Sequence, residues 1–265
     1  MTLSVVRSGH GLRGGAATVE LRVESGPVRL GRDGIARPLE AFRVVDARFS
    51  TSLACDAFVV GTTEHFFAAL AGLGVRGGLR ADITGDELPL LDGGALELAR
   101  AVGELGIAPR APALRVVRDG AVTVDGATYD FSTSDGVRVE VDVELPRGCA
   151  TSARWDGDAS SFLARVAPAR TFVLERDASE IARLGLGRNV APSSVLIVAE
   201  GGVFGTGDPA PDEPARHKLL DLIGDAYLHG GPPRGTLRAS RPGHARTHRA
   251  FARALDLGIL EKDAS

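Results

Sequence analysis

The segment Arg216-His217-Lys218-Leu219-Leu220-Asp221-Leu222-Ile223-Gly224-Asp225 sets His217, Asp221 and Asp225 at i, i+4 and i+8, one face of a helix. Leu219, Leu220, Leu222 and Ile223 flank that face and can bury it. An imidazole and two carboxylates on a part-buried helix are costly unless they are satisfied, and a divalent ion satisfies two of them at once. A solvated polar stripe beside an apolar one has the same spacing, so metal chemistry needs partners from elsewhere. Hydrolytic zinc takes three nitrogen or oxygen ligands and keeps a position for water. His217 and Asp221 can supply two, and His65 is the candidate third, with Glu64 beside it as a general base. Taken as an isolated pair, Glu64 and His65 also read as a helix-capping acid and a core histidine. Asp225, a turn beyond Asp221, is better placed to hold a second histidine than to bind the same ion. His244, after the Pro242-Gly243 turn, fits that part: as an imidazolium whose pKa Asp225 raises, it can stabilise an oxyanion or protonate a leaving amine. Lys218 adds fixed positive charge. Together these groups point to metal-assisted hydrolysis by zinc, with ferrous iron able to use the same two-histidine, one-aspartate set.

The elements that must position these groups follow from periodicity. Ala17 to Val23 alternates as a half-buried strand, after the turn-rich stretch Ser8 to Gly15; Phe42 to Ala54 carries further strand signals. Thr62-Thr63-Glu64-His65-Phe66-Phe67-Ala68-Ala69-Leu70-Ala71-Gly72 reads as an apolar helix capped by Thr62 or Thr63 and stopped by Gly72 or Gly74. His65 therefore sits in a first turn, where an imidazolium is disfavoured and a neutral ligand is not. Leu79 to Ile83 is a short strand, and Leu96 to Leu105 a helix ended by Gly106. The first half thus reads β, β, α, β, α. Pro109 and Pro112 mark a linker, which divides the chain into domains 1–112 and 113–265. The second half restarts with strands at 114–117, 121–124, 128–131 and 137–145. It continues with a helix over 160–167, a strand over 170–174, a helix over 178–184 and a buried strand over 194–198. The His217 helix, the strand 235–239 and a last helix 245–255 complete it. The order of elements repeats that of the first half, which suggests a structural duplication.

A chain of 265 residues with 44% hydrophobic and 25% charged residues is an ordinary globular protein, and a net charge of −3 argues against a nucleic-acid partner. Cys55 and Cys149 are far apart and form neither a disulfide framework nor a thiolate metal site. No stretch approaches the ~20 apolar residues of a membrane span, and no leader pattern opens the chain. A cytoplasmic monomer without an integral membrane segment is the expectation.

Several segments resemble the UDP-3-O-acyl-N-acetylglucosamine deacetylase family, the zinc amidases of lipid A biosynthesis: TTEHFFAALAGLG, ELPLLDGGA, ARTF, RHKLLDLIGDAYL and PGHARTH, in family order and at family spacing. The resemblance implies an α+β fold of two similar domains, each a layered β-sheet/two-helix sandwich, with the active site between them. It implies zinc on His65, His217 and Asp221, with Glu64 as general base and His244 as the cationic partner held by Asp225. Thr171 and Lys218 would stabilise the oxyanion, and Phe172 and Arg170 would contact the substrate, a nucleotide-sugar lipid precursor whose acetamide is hydrolysed.

The departures fall outside the metal core. Gly11-Leu12-Arg13-Gly14-Gly15 lacks the family's histidine, Gly187 to Ser194 differs from the family's Gly-Gly-Ser and Asp-Asn segment, and no lysine stands near Asp125 to Tyr129. Two alternatives follow: a paralogue that deacetylates another N-acyl sugar, and a non-catalytic ligand-binding relative.

Overall fold

The computed structural model describes residues 3–263. The first half runs β1 (Ser4–His10), β2 (Ala16–Val23), β3 (Arg29–Arg32), β4 (Ile35–Pro38), β5 (Arg43–Asp46), β6 (Ser52–Cys55), β7 (Phe58–Val60), α1 (Glu64–Gly72), β8 (Leu79–Thr84) and α2 (Leu96–Glu104). The second half continues with β9 (Leu114–Val116), β10 (Gly120–Val124), β11 (Ala127–Ser132), β12 (Val137–Asp142), β13 (Ser152–Trp155), α3 (Ala159–Ser161), β14 (Thr171–Leu174), α4 (Ala178–Arg183), β15 (Val195–Ala199) and β16 (Gly202–Phe204). It closes with α5 (Glu213–Tyr227), β17 (Gly235–Ser240), α6 (His244–Asp256) and β18 (Leu260–Lys262).

Two five-stranded sheets carry the same topology. Their orders, β1-β2-β8-β3-β4 and β10-β11-β17-β12-β13, superpose strand for strand. So do their directions: β8 and β17 are the central strands, each antiparallel to one neighbour and parallel to the other. In each half one helix precedes the central strand and one follows it. The duplication suggested by element order is therefore present as an α+β fold of two similar layered units, with four helices between two sheets. Their sequences explain the layering. On α6, His244, Thr247, His248, Ala250, Phe251 and Ala254 are buried, the 3–4 spacing of a helix with one face in the core. α1 is buried along its whole length, from Glu64 to Gly72, because α5 covers the side its own sheet does not. The crossing is close. A side chain at Gly224 would put its Cβ 2.0 Å from the Glu64 carbonyl oxygen, so only glycine lets α5 lie against the start of α1. Phe67 stacks on Tyr227 at 5.4 Å and holds the far end of that contact.

Each half has an insertion at the same place, ahead of its first core helix: the sheet β5-β6-β7 in the first, and β14-β15-β16 with α4 in the second. These insertions account for most differences from the sequence reading. The first half has seven strands before α1, because several short hairpin strands lack a clean alternation. The segment 160–167 is not one helix: α3 is a single turn capped by the Asp158 carboxylate, and it loosens into a π turn over Phe162–Val166. The strand at β15 is not fully buried, since Ile197 is 49% exposed on its open face. Thr63 stands at the start of α1 but does not cap it; its hydroxyl donates to the Thr51 carbonyl. Cys55, buried, and Cys149, half-buried, are free thiols. Among the described residues, no helix is long and apolar enough to cross a membrane.

Candidate metal centre

The start of α1 and the middle of α5 meet at a cluster of buried polar groups. His65, His217 and Asp221 each offer one ligand atom, and these three atoms lie within 4.8 Å of one another. His217 Nε2 is 3.5 Å and His65 Nε2 is 3.8 Å from the same oxygen, Asp221 Oδ1. The two imidazole planes stand at 82° to each other, edge to face. His217 Nδ1 is 2.9 Å from the Ala169 carbonyl, which can only accept, so the proton sits on Nδ1 and the Nε2 lone pair faces the cluster. Burial and the neighbouring His217 hold the His65 pKa at about 3, and burial likewise lowers that of His217. Burial would raise the Asp221 pKa, but the positive charges of Lys218 and His244 hold it well below the usual carboxylate range. Two neutral imidazoles and one carboxylate, all buried, are the donor set that a borderline divalent ion takes, so the residues fit zinc or ferrous iron.

The other candidates surround this centre. The Glu64 carboxylate accepts a 2.9 Å hydrogen bond from the Thr51 amide, and burial pushes its pKa up to about 7. Across the cluster, His244 Nδ1 lies 2.8 Å from Asp225 Oδ2, and its Nε2 lies 4.0 Å from Asp221 Oδ2. Burial opposes protonation of His244, but the Asp225 carboxylate outweighs it and raises the pKa to about 10. The expected pairing of Asp225 with His244 is thus present. Lys218 Nζ donates to Asp221 Oδ2 at 2.8 Å and lies 5.4 Å from the Phe172 ring centroid. Asp221 is therefore divided: one oxygen faces the imidazoles, the other the cations.

Thr171 and Phe172, at the start of β14, line a cavity of about 270 Å³ with Glu64, His65, His217 and His244. Arg170, adjacent in sequence, does not line it. Its guanidinium turns to Glu213 at the start of α5, with bonds of 2.7 and 3.1 Å, and to the Ser193 and Thr206 carbonyls. It braces the second insertion against the core helix, and this geometry opposes the expectation that it contacts substrate. The cavity's apolar wall includes Ile181, Leu186, Val190 and Val195, all from that insertion. A larger groove of about 680 Å³ runs along β12 and β13, but it is lined by surface charges such as the Arg238–Asp142 pair and holds none of these groups.

Three residues of this network have no role in the sequence reading: Thr51, His248 and His229. The Thr51 hydroxyl donates to Asp225 Oδ1 at 2.6 Å and is 3.1 Å from His248 Nε2; His248 Nδ1 is 3.0 Å from His229 Nε2. The spacing of His248, four residues after His244 on one helix, is the signal that could have found it.

The family model for UDP-3-O-acyl N-acetylglycosamine deacetylase matches residues 2–256. A UDP-3-O-acyl-N-acetylglucosamine deacetylase of Myxococcus xanthus is 34% identical over 96% of this chain and 85% of its own. One from Solibacter usitatus is 30% identical over 97% and 91%. One from Pseudomonas entomophila is 30% identical over 86% and 76%. With that match along nearly its whole length and the His, His, Asp cluster at the junction of its two halves, the chain belongs to the UDP-3-O-acyl N-acetylglycosamine deacetylase family.

Proposed function

We propose that the protein is a zinc-dependent amidohydrolase that removes the acetyl group from UDP-3-O-acyl-N-acetylglucosamine. The observation that carries this reading is the convergence of His65, His217 and Asp221 beside Glu64 and His244 in one cavity. The three ligands would hold the ion, which when bound polarises the acetamide carbonyl and acidifies water. Glu64, with its raised pKa, takes a proton from the attacking water. His244, kept cationic by Asp225, stabilises the charge that develops on the carbonyl oxygen and gives its Nε2 proton to the departing amine. Lys218 steadies Asp221 and, with Thr171, adds donors on the same side. Phe172 and the second insertion form the apolar wall for the acyl chain. All of these groups come from one chain, so the proposed reaction needs no second subunit.

The test is acetate release from the nucleotide sugar by protein of known metal content. Activity that is lost on chelation and regained with about one equivalent of zinc is expected; a metal-replete protein without turnover sinks the reading.

One observation favours the second reading, a different N-acyl sugar. Two of the three departures from the family pattern touch each other: the Gly187 amide donates to the Leu12 carbonyl at 2.7 Å, and the Asn189 side chain to the Gly14 carbonyl at 2.7 Å. Leu12, Leu186, Gly187 and Val190 also line the cavity, so the change falls where the acyl chain would lie. Comparing acetate release from UDP-3-O-acyl-N-acetylglucosamine with release from N-acetyl sugars that lack the 3-O-acyl chain decides between the two.

A further inference from the structure

Asp225 is 1% exposed, and both its oxygens are engaged. Oδ2 takes the hydrogen bond from His244. Oδ1 takes the Thr51 hydroxyl at 2.6 Å and faces His248 Nε2 at 3.4 Å. The direction of the remaining bonds follows from the carboxylate outward. Burial would raise the Asp225 pKa, but the His244 charge and the hydrogen bonds from His244 and His248 hold it well below the usual range, so it is ionised and only accepts. Thr51 spends its single proton on Asp225 and leaves a lone pair for His248 Nε2–H. A ring with its single proton on Nε2 accepts at Nδ1, and His229 Nε2–H, 3.0 Å away, is placed to donate to it. Burial lowers the His229 pKa to about 3, so this ring is neutral and can serve as that donor. Every donor in the chain His229, His248, Thr51 thus points toward Asp225. His229 is itself fixed, stacked on Phe251 at 5.2 Å and 27°. It lies on the wall of a separate cavity of about 540 Å³ that holds none of the metal-centre residues. The arm therefore reaches Asp225 from outside the reaction cavity.

We propose that His248 is a positioning residue for the reaction: with Thr51 it clamps the second oxygen of Asp225, with His229 setting its tautomer, and it acts on His244 through that carboxylate. None of the three touches the reaction cavity. Thr51 widens the consequence, because its amide holds Glu64 while its hydroxyl holds Asp225. The proton acceptor and the cationic group of the reaction are then set by a single residue of the first insertion. This inference rests on the proposed roles of Glu64, Asp225 and His244.

The experiment uses zinc-loaded full-length protein and the variants His248→Leu, His248→Gln and His229→Leu. Gln can reproduce the Nε2–H donor and Leu cannot. In His248→Leu, kcat for acetate release is expected to fall ~10- to 100-fold, the range for groups that orient a ligand or catalytic side chain, with KM within about twofold and zinc content unchanged. His248→Gln should regain most of that loss, and His229→Leu should lose less. A second readout does not need turnover: the low-field proton resonance of the His244 Nδ1–H bond, assigned by its absence in His244→Gln, should move in His248→Leu and return toward its place in His248→Gln. An unmoved resonance with kcat within about twofold of the parent overturns the proposal. Should His248→Leu fail to fold, His248→Gln and His229→Leu decide it by the same two readings. The two failures are distinguishable: an inactive parent protein rejects the deacetylase reading while the resonance still decides the positioning role, whereas an active parent, an impaired His244→Gln and a normal His248→Leu reject the positioning role alone.

Discussion

Helices α1 and α5 hold equivalent places in the two halves, each ahead of its sheet's central strand, yet they bring different things to the cavity. The nine residues of α1 carry chemistry only in the first turn, Glu64 and His65. The 15 residues of α5 carry it over more than two turns, from His217 through Lys218 and Asp221 to Asp225. The insertions ahead of them differ in the same sense. The first contributes buried polar groups, Ser50, Thr51 and Ser52, and ties down carboxylates; the second contributes half-buried apolar walls. A duplicated scaffold yields an asymmetric site here because the end of one helix abuts the middle of its counterpart. Neither half holds three ligands by itself.

The broadest test of that division is to remove a ligand from each side. His65→Ala and Asp221→Ala should each lose the bound metal and lower acetate release by more than ~10²-fold, since even groups one step removed from a metal cost 10- to 100-fold. Metal analysis and turnover read both. If His65→Ala keeps a full equivalent of zinc and its activity, the first half contributes no ligand, and the comparison breaks.

Glu64→Gln sharpens the same division by leaving the ligands in place. Activity should fall ~10²- to 10⁴-fold, the usual worth of a general base, with zinc retained. The pH profile of the parent should be bell-shaped. Glu64 must be ionised, so activity rises as pH increases through its pKa, which burial raises to about 7. His244 must be protonated, so activity falls as pH passes its own pKa of about 10. A bound cation lowers both, so the limbs lie at or below those values. In His244→Gln the alkaline limb attributed to that imidazole should disappear, and a limb that persists unchanged assigns it to another group.

Much of this was legible in the chain because helical spacing and chemistry coincide. His217, Asp221 and Asp225 are four residues apart, and the structure turns all three inward. The repeat was readable from element order, although no side-chain identity connects the halves. Other features depended on tertiary contacts that no local pattern encodes. Thr51 lies 174 residues from Asp225 in sequence, and its hydroxyl reads locally as one more strand-edge threonine. Arg170 follows the same logic: its neighbours Thr171 and Phe172 face the cavity, but its partner Glu213 is 43 residues away. The strands β3 to β7 pair mostly with their sequence neighbours, in hairpins of three or four residues per strand that are too short to show a clean alternation; only β3 also pairs with a distant strand, β8.

The contact between the two helices can be loosened without touching a polar group. Gly224→Ala sets a Cβ against the Glu64 carbonyl, which is backbone at a helix start and cannot move aside freely. Overpacking of this kind costs about 1–3 kcal/mol. Because it pushes α5 from the very residue that precedes His65, activity should fall along with thermal stability. A variant with lowered stability and unchanged kcat would mean that the ligands do not depend on this helix contact.

The smallest expected effect concerns the second insertion. Arg170 Nε and an η nitrogen grip Glu213 through both carboxylate oxygens, and the pair is largely buried. Lysine keeps the charge but has a single ammonium in place of the fork. Arg170→Lys should therefore cost about 1 kcal/mol, roughly one hydrogen bond. Glu213 remains paired, so its carboxylate is not stranded. The denaturation midpoint should drop slightly while zinc content and kcat hold, because the brace acts on the insertion and not on the metal. KM is the informative quantity. The insertion supplies the apolar wall, so a brace that loosens it should weaken substrate binding and leave the chemical step alone. Were kcat to fall with KM unchanged, Arg170 would belong to the reacting groups, and the division into a polar first insertion and an apolar second one would fail.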